Sequence, residues 1–311
     1  MLKTKQPMNY RYFILFKMIL LSTMMNAQQI PLFENPMAAA TLNNPAFISM
    51  NYWKYDHNIS VSTHYRHQWT GLAAAPKTLL GGYEYFNEEL NYLIGGNVVH
   101  DQTGPIQFTG IYLRQGYRVQ VNSSLHLVAG LSFGLIQNRV KGTELTFLES
   151  DDIAVDNEAK FSPDFSLGLL LYSEKFYVGF SIPQSLGFDL NYSQDTNDFR
   201  LEKVRHYHGL VGFFTPLYND SWLEILASAQ FVPNAPMVIG WGIKYEYKEH
   251  FYIASSYNNA QAITARIGVL FDLNNGNGKG DLSYGLTNSF ASFGPSFGGT
   301  HELSFVYSFG N

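Results

Sequence analysis

The residues best equipped for chemistry are the imidazoles of His206-Tyr207-His208. On a strand, positions i and i+2 share a face, so His206 and His208 would both reach one metal ion. No third ligand stands beside them, although His57, His64 and His67 are available elsewhere. Polar lining of an interior is the better reading of the pair. The loop "ESDDIAVDNE" (149–158) offers Asp151, Asp152 and Asp156 for Ca²⁺. It lacks the alternating acidic spacing and central glycine of a calcium loop, and reads as a solvated surface loop. "DLNNGNGKGD" (272–281) superficially resembles a phosphate loop, but no Ser or Thr follows the Gly-Lys and no helix follows the glycines; it reads as a turn. There is no carboxylate pair at catalytic spacing. The expectation is a protein with no catalytic residue, no cofactor and no bound metal.

"YRHQWTGLAAAPKT" (65–78) is harder to place, because Gly71 and Pro76 forbid a long regular element there. As structure, Arg66 and Trp69 stack at a rim and Pro76 starts the next strand. As function, a rigid ring beside an arginine anchors a protein partner, since Trp, Tyr and Arg dominate interface hot spots. Arg66, Trp69 and Pro76 are therefore the candidate partner contacts, with the structural reading the commoner fate of such residues.

Bulk properties narrow the setting. Charged residues make up 14% of the 311 and aromatics 16%, whereas roughly 25% charge is usual for soluble domains. Mean hydropathy is only -0.11, far from a helical membrane protein. Low charge, many rings and middling hydropathy fit a chain whose every second side chain is apolar. The net charge of -5 and the lack of a basic stripe argue against a nucleic-acid partner. The chain has no cysteine, which excludes disulfides, thiolate metal sites, a thiol nucleophile and a lipid-modified N-terminal cysteine. Lys3, Lys5, Arg11 and Lys17 precede the apolar run Met18–Met25, and Ala27 precedes a Gln-Gln pair. That order is expected of a secretory signal peptide over residues 1–27. No other run approaches the roughly 18 apolar residues of a spanning helix.

From about residue 56 the apolar pattern has period two. Leu223, Ile225, Ala227, Ala229 and Phe231 point one way and Glu224 the other. Ile263, Ala265, Ile267, Val269 and Phe271 form another row, with Arg266 opposite. These faces suit the ~9–11 residues of a tilted strand crossing a bilayer. Fourteen such segments are expected, over 56–66, 77–86, 90–100, 105–119, 123–139, 161–172, 175–182, 203–215, 221–231, 235–247, 251–258, 261–272, 280–288 and 300–310. Short turns ("NEE", "VNSS", "YSEK", "PLYNDS", "YKEH") mostly alternate with longer loops, as in outer-membrane barrels; "NNAQ" and "NNGNGKG" break that alternation. The final "HELSFVYSFGN" alternates Leu303, Phe305, Tyr307 and Phe309, with Gly310 and Asn311 overrunning the terminal aromatic.

The expected fold is an all-β, up-and-down antiparallel transmembrane barrel of fourteen strands, since bilayer strands must close without edges. A large secreted β-sandwich is the competing architecture. An arginine facing the lipid midplane costs ~2–4 kcal/mol, so Arg266 and Glu224 are assigned to the lumen, as are His206 and His208. Trp241, Tyr245, Tyr247 and Tyr307 are assigned to the interfacial girdles. Residues 28–55 lack alternation and contain Pro31, Pro36 and Pro45. Their aromatic content is high for disorder, so this piece is expected to plug the lumen or dock on the periplasmic side. Residues 56–311 are the barrel.

Several strings then become familiar. "YRHQWTGLAAAPKT" resembles the Tyr-Arg-x-Gln-Trp-x-Gly…Ala-Pro-x-Thr segment of the PorP/SprF family, with Ala74 where many members carry Gly. "NNPAF" (43–47), "DQTGP" (101–105) and "FSPDFSLGLLLYSEKFYVGFSIPQSL" (161–186) are similar to further blocks of that family. "RHYHGLVGFF" (205–214), "FVPNAP" (231–236) and "GTHELSFVYSF" (299–309) follow in its order. The resemblance spans the mature chain. It implies an outer-membrane protein of type IX secretion, linked to gliding motility, that helps export or anchor a large secreted adhesin through its C-terminal domain. The expected partners are that adhesin, other type IX subunits and outer-membrane lipid. A porin or hydrophobic-compound channel is the alternative, and a membrane-embedded hydrolase a weaker third.

Overall fold

The computed structural model describes residues 33–48, 50–142, 157–186, 189–191, 200–202, 204–273, 276–291 and 294–310. The expected leader and the three aspartates of the 149–158 loop lie outside these residues. Two short helices come first, α1 (Pro36–Asn43) and α2 (Met50–Tyr55). Strands β1 (Ile59–His67), β2 (Lys77–Asn87), β3 (Tyr92–Thr103), β4 (Ile106–Asn122), β5 (Leu125–Val140), β6 (Glu158–Tyr172) and β7 (Phe176–Ile182) follow. A small separate hairpin, β8 (Asp189–Asn191) and β9 (Arg200–Glu202), precedes β10 (Tyr207–Leu217), β11 (Ser221–Phe231), β12 (Val238–Tyr247), β13 (Phe251–Asn258), β14 (Ala262–Leu273), β15 (Gly278–Ser289) and β16 (Thr300–Phe309).

All strands but β8 and β9 form one closed antiparallel ring in chain order, sealed where Ile59–His67 of β1 pairs with Phe309–His301 of β16. A sandwich has free edges, so this closure excludes it. Tight turns and both ring-closing termini share one end. Asn219 and Asp220 join β10 to β11, and Lys248 and Glu249 join β12 to β13, each with positive φ. Such paired left-handed residues twist the chain as the flanking strands require. In outer-membrane barrels this short-turn end faces the periplasm.

Alternation sorts the wall into two faces. Ile225, Trp241, Ile243, Ile267, Val269, Leu131, Phe133 and Leu169 are exposed on the outside, while Glu224, Arg266, Ser132, Gly168 and Leu170 point inward. Rings mark both ends of the band. Tyr207–Phe231 and Trp241–Tyr257 lie toward the outer end at centroid distances of 6.0 and 5.1 Å, with Tyr247–Phe251 and Tyr307–Phe309 at the other end at 5.2 and 4.9 Å. Among the described residues no helix is long and apolar enough to cross a membrane; the strands are the crossing elements.

Two sequence expectations are corrected. The strand expected from residue 203 begins at Tyr207, where its neighbour β7 ends at Ile182, although the His206 N–H still reaches the Pro183 carbonyl at 3.3 Å. His206 therefore precedes β10 instead of sharing its pleat with His208. Arg66 and Trp69 do not stack. Arg66 is on the lumen face of β1, and Trp69 lies beyond the strand with φ 53°; its ring meets Phe297 at 5.7 Å.

The core of this barrel is its own N-terminal segment. Ala40, Ala46, Phe47 and Ile48 are fully buried against the inward side chains Phe86, Leu93, Val128, Leu170, Tyr177 and Leu210. Phe33 and Ala38 pack likewise on Leu80 and Val99. Residues 33–48 and 50–55 thus run through the lumen from the outer half, beside His64 and Ser304, to the periplasmic end beside Phe86 and Trp222.

Candidate functional site

The lumen gathers most of the chain's buried polar groups, and the N-terminal segment meets them at three levels. At the outer level Glu302 of β16 accepts the backbone N–H groups of Glu34 (2.7 Å) and Asn35 (3.0 Å). The same carboxylate lies between two arginines, Arg266 at 2.5 Å and Arg66 at 3.4 Å. Arg66 also donates to Gln68 at 2.7 Å, and the Asn35 amide donates to Ser304 at 3.1 Å. Burial pushes the Glu34 carboxyl above its usual range; Arg66 and Arg266 oppose that push and Glu302 adds to it.

At the middle level the Asn44-Pro45-Ala46 turn sits in a groove cut into β5, β6 and β7. The Asn44 carboxamide accepts the Ala46 N–H at 3.0 Å and donates to the Leu169 carbonyl at 3.2 Å, closing an Asx turn. The groove exists because its wall positions lack side chains. A Cβ on Gly130 would lie 2.5 Å from the Ala46 nitrogen, and one on Gly168 2.0 Å from the Asn44 oxygen. One turn further on, the Phe47 carbonyl accepts Arg114 at 2.6 Å, and Arg114 is ion-paired to Glu84. Asn97 holds the Thr41 carbonyl at 3.1 Å.

At the periplasmic level α2 lies across the barrel. Tyr52 hydrogen-bonds to Glu88 and accepts Arg118 at 2.8 Å, beside Phe86. Lys54 and Tyr55 reach nearly the opposite side of the ring, where Lys54 is ion-paired to Glu246 and Tyr55 donates to it at 3.3 Å. Lys54 also lies 5.6 Å from the Trp222 ring. Burial lowers the Lys54 pKa below the ordinary lysine value, with Glu246 pulling it back up. Burial also raises the Tyr52 and Tyr55 hydroxyls well above the usual phenol, so both stay protonated donors.

Beside the segment lies a cavity of about 70 Å³ on the β11–β16 side, lined by Glu34, Glu224, Lys244, Arg266 and Asp281 among others. Tyr177 donates to Glu224 at 3.0 Å and Tyr252 to Asp281 at 3.1 Å. This space is far below the 300–1,000 Å³ of ordinary ligand pockets.

The residue family behind this seating is decided by a comparison of the whole chain. The model for the type IX secretion system membrane protein PorP/SprF matches residues 25–307. The chain belongs to the PorP/SprF family. It is an outer-membrane β-barrel of that secretion-system family. No curated protein sequence matches it significantly. Among solved structures, a Pseudomonas aeruginosa FadL homologue aligns over 87% of this chain and 93% of its own, with 12% identity and a TM-score of 0.50. The TodX deltaS2S3 mutant, a monoaromatic hydrocarbon channel, aligns over 93% and 97%, with 10% identity and a TM-score of 0.50. At such identities the likeness is one of fold alone.

The sequence-stretch candidates fall in different places. Glu224 and Arg266 are buried on the lumen side of β11 and β14, and His208 on that of β10 opposite Ser181. His206 is buried before β10, with Nδ1–H donating to the Val204 carbonyl at 2.9 Å; burial holds its imidazole below the ordinary value. His57 and His64 flank or lie on β1, across the ring from β10, and do not join that pair. Among the described residues no group of three or more His, Cys, Asp or Glu could hold a metal ion. Pro76 is half-buried at the entry to β2, where its carbonyl accepts the Gln68 N–H at 2.9 Å. Residues central to the lumen but not singled out from sequence are Glu302, Arg114, Glu84, Lys244, Glu246 and Lys54. Strand parity was the available signal for the wall positions, since Glu302 alternates with Leu303 and Phe305.

Proposed function

We propose that this barrel is a non-enzymatic platform that helps export one large adhesin of the type IX system or holds it at the cell surface, in service of gliding motility. The family supports a secretion role. The observation that carries the platform reading is the filled lumen. Residues 33–48 and 50–55 occupy it, α2 crosses its periplasmic end, and the cavity of about 70 Å³ beside them is too small for an extended chain. The partner then meets the outside of the molecule, through its loops and rims, by way of its C-terminal domain. Trp69, stacked on Phe297, and Pro76 remain the proposed rim contacts. Arg66 is reassigned to holding the N-terminal segment through Glu302. In this reading residues 1–27 are a cleaved signal peptide, 28–55 the plug and 56–311 the barrel.

Deletion of the gene tests the proposal. One adhesin should vanish from the cell surface while a general type IX substrate still reaches the medium. Loss of every type IX substrate marks a core component instead, and undisturbed display of all adhesins overturns the reading. Uptake of a hydrophobic compound by liposomes carrying the purified protein would restore the channel alternative.

A further inference from the structure

Charge is nearly absent from the outer face of the wall. Among the described residues its fourteen strands turn two fixed charges outward, Lys77 on β2 and Arg139 on β5, and three imidazoles, His67, His100 and His301. All five lie toward the outer ends of six adjacent strands, β16 and β1–β5. Four of them share one line of register. His301 pairs with His67, His67 with Lys77, and Lys77 with Gln102. Gln102 pairs with Gln107, and Gln107 with Arg139. With strands ~4.8 Å apart, the row is about 24 Å long. His100 stands at the next outward position below it on β3, hydrogen-bonded to Thr109 at 2.8 Å.

We propose that this row binds the phosphate of an outer-leaflet glycolipid, whose acyl chains lie on the apolar side chains beneath. The row shares its faces with Leu303, Tyr65, Leu79 and Leu135, all exposed on the outside of the barrel. It therefore projects sideways over the lipid, and a partner resting on the loops would approach from another direction. Tyr65 and Tyr284 set its height, since tyrosines gather where headgroups meet chains; Tyr284 hydrogen-bonds to His301 at 2.5 Å. The cations are unopposed. Neither Lys77 nor Arg139 is ion-paired among the described residues. The connections above β16 to β4, residues 68–76, 104–105 and 290–299, contain no carboxylate. An ammonium and a guanidinium with no carboxylate between them suit phosphate, which both bind through charge-assisted hydrogen bonds. The turns at the periplasmic end instead carry Glu88, Glu89, Glu174 and Asp220, so the positive row belongs to one leaflet. It also crosses the seam between β1 and β16, where a headgroup over His301 and His67 braces the closure of the ring.

Native mass spectrometry of the full chain in detergent, with lipid A as the probe, tests the site. Wild type should retain the lipid, and Lys77→Gln combined with Arg139→Gln should weaken its binding by about thirtyfold. Lys175→Gln, which removes an exposed cation from the β6–β7 turn at the other end, should bind as wild type does. Lipid A should also raise the temperature of the gel-mobility transition in wild type and leave that of the double variant unmoved. Equal retention by wild type and the double variant overturns the site. Equal retention of lipid A stripped of its phosphates overturns phosphate recognition. Displacement by inorganic phosphate at equal concentration marks a free-anion site and overturns the lipid reading. Unchanged lipid binding with loss of a co-purifying surface protein from the double variant assigns the row to an acidic protein instead. Should the double variant fail the mobility check of folding, Lys77→Gln alone is read in the same way, at about fivefold.

Discussion

Glu302 has the heaviest duty of any single side chain in the barrel. Its carboxylate faces two buried guanidinium groups and accepts two backbone N–H groups from the plug. A buried charge is tolerated only when paired, and removal of one partner leaves the others uncompensated, at a cost of about 3–5 kcal/mol. Glu302→Gln keeps the shape but leaves Arg66 and Arg266 without their shared counter-charge. The expected result is a lower temperature for the gel-mobility transition of the folded barrel and faster proteolysis upstream of Asn43. Arg66→Ala should give a smaller loss, because Arg266 stays closer to the carboxylate. An unchanged transition in Glu302→Gln would show that the outer anchor contributes nothing. The geometry also explains why the Arg66–Trp69 neighbourhood misleads in sequence. β1 ends at His67, so Trp69, with φ 53°, turns away from the strand that holds Arg66; the ring partner Phe297 lies far along the chain.

At the scale of elements, two kinds of information were written with different clarity. The fourteen wall strands were legible because a bilayer outside and polar groups inside impose a period of two over long runs. The short strands and their ends were less so. Tyr207 begins β10 where the neighbouring β7 comes to its end at Ile182. The seat of the plug was illegible for another reason. Asn43–Phe47 has no periodicity, and Gly130 and Gly168 look like the other strand glycines until the turn is laid against them. Their lack of a Cβ is specific to that approach, which yields a directional expectation. Gly130→Ala presses on the backbone of Ala46 and should cost about 1–3 kcal/mol as an overpacked contact. Gly168→Ala presses on the Asn44 side chain, which can shift, and should cost less. Gly81→Ala meets nothing within 4 Å and serves as the neutral comparison. Limited proteolysis of residues 33–55 in the refolded barrels ranks the three; indistinguishable cleavage would remove the groove as the plug's receptor.

For the molecule as a whole, the deciding relation is between an apolar outside and a polar, filled inside. Ile267 is 62% exposed midway along β14, and its chain neighbour Arg266 is 5% exposed, so adjacent residues face media of opposite character. The lipid reading gives that contrast a magnitude. An arginine at the bilayer midplane costs ~2–4 kcal/mol, falling to ~0–1 near the interface. Ile267→Arg should therefore lower the folding free energy in phospholipid vesicles by that larger amount. Tyr218→Arg, in a turn where the native ring is 88% exposed, should change it by less than about 1 kcal/mol. A water-exposed outer wall predicts no such gap between the two variants, because arginine on a solvated strand surface is close to neutral. Equal folding of Ile267→Arg and wild type in vesicles would contradict the placement of β14 in the membrane. It would equally remove the reason for a closed ring, whose strands seal every edge because the surrounding medium offers the backbone no hydrogen bonds.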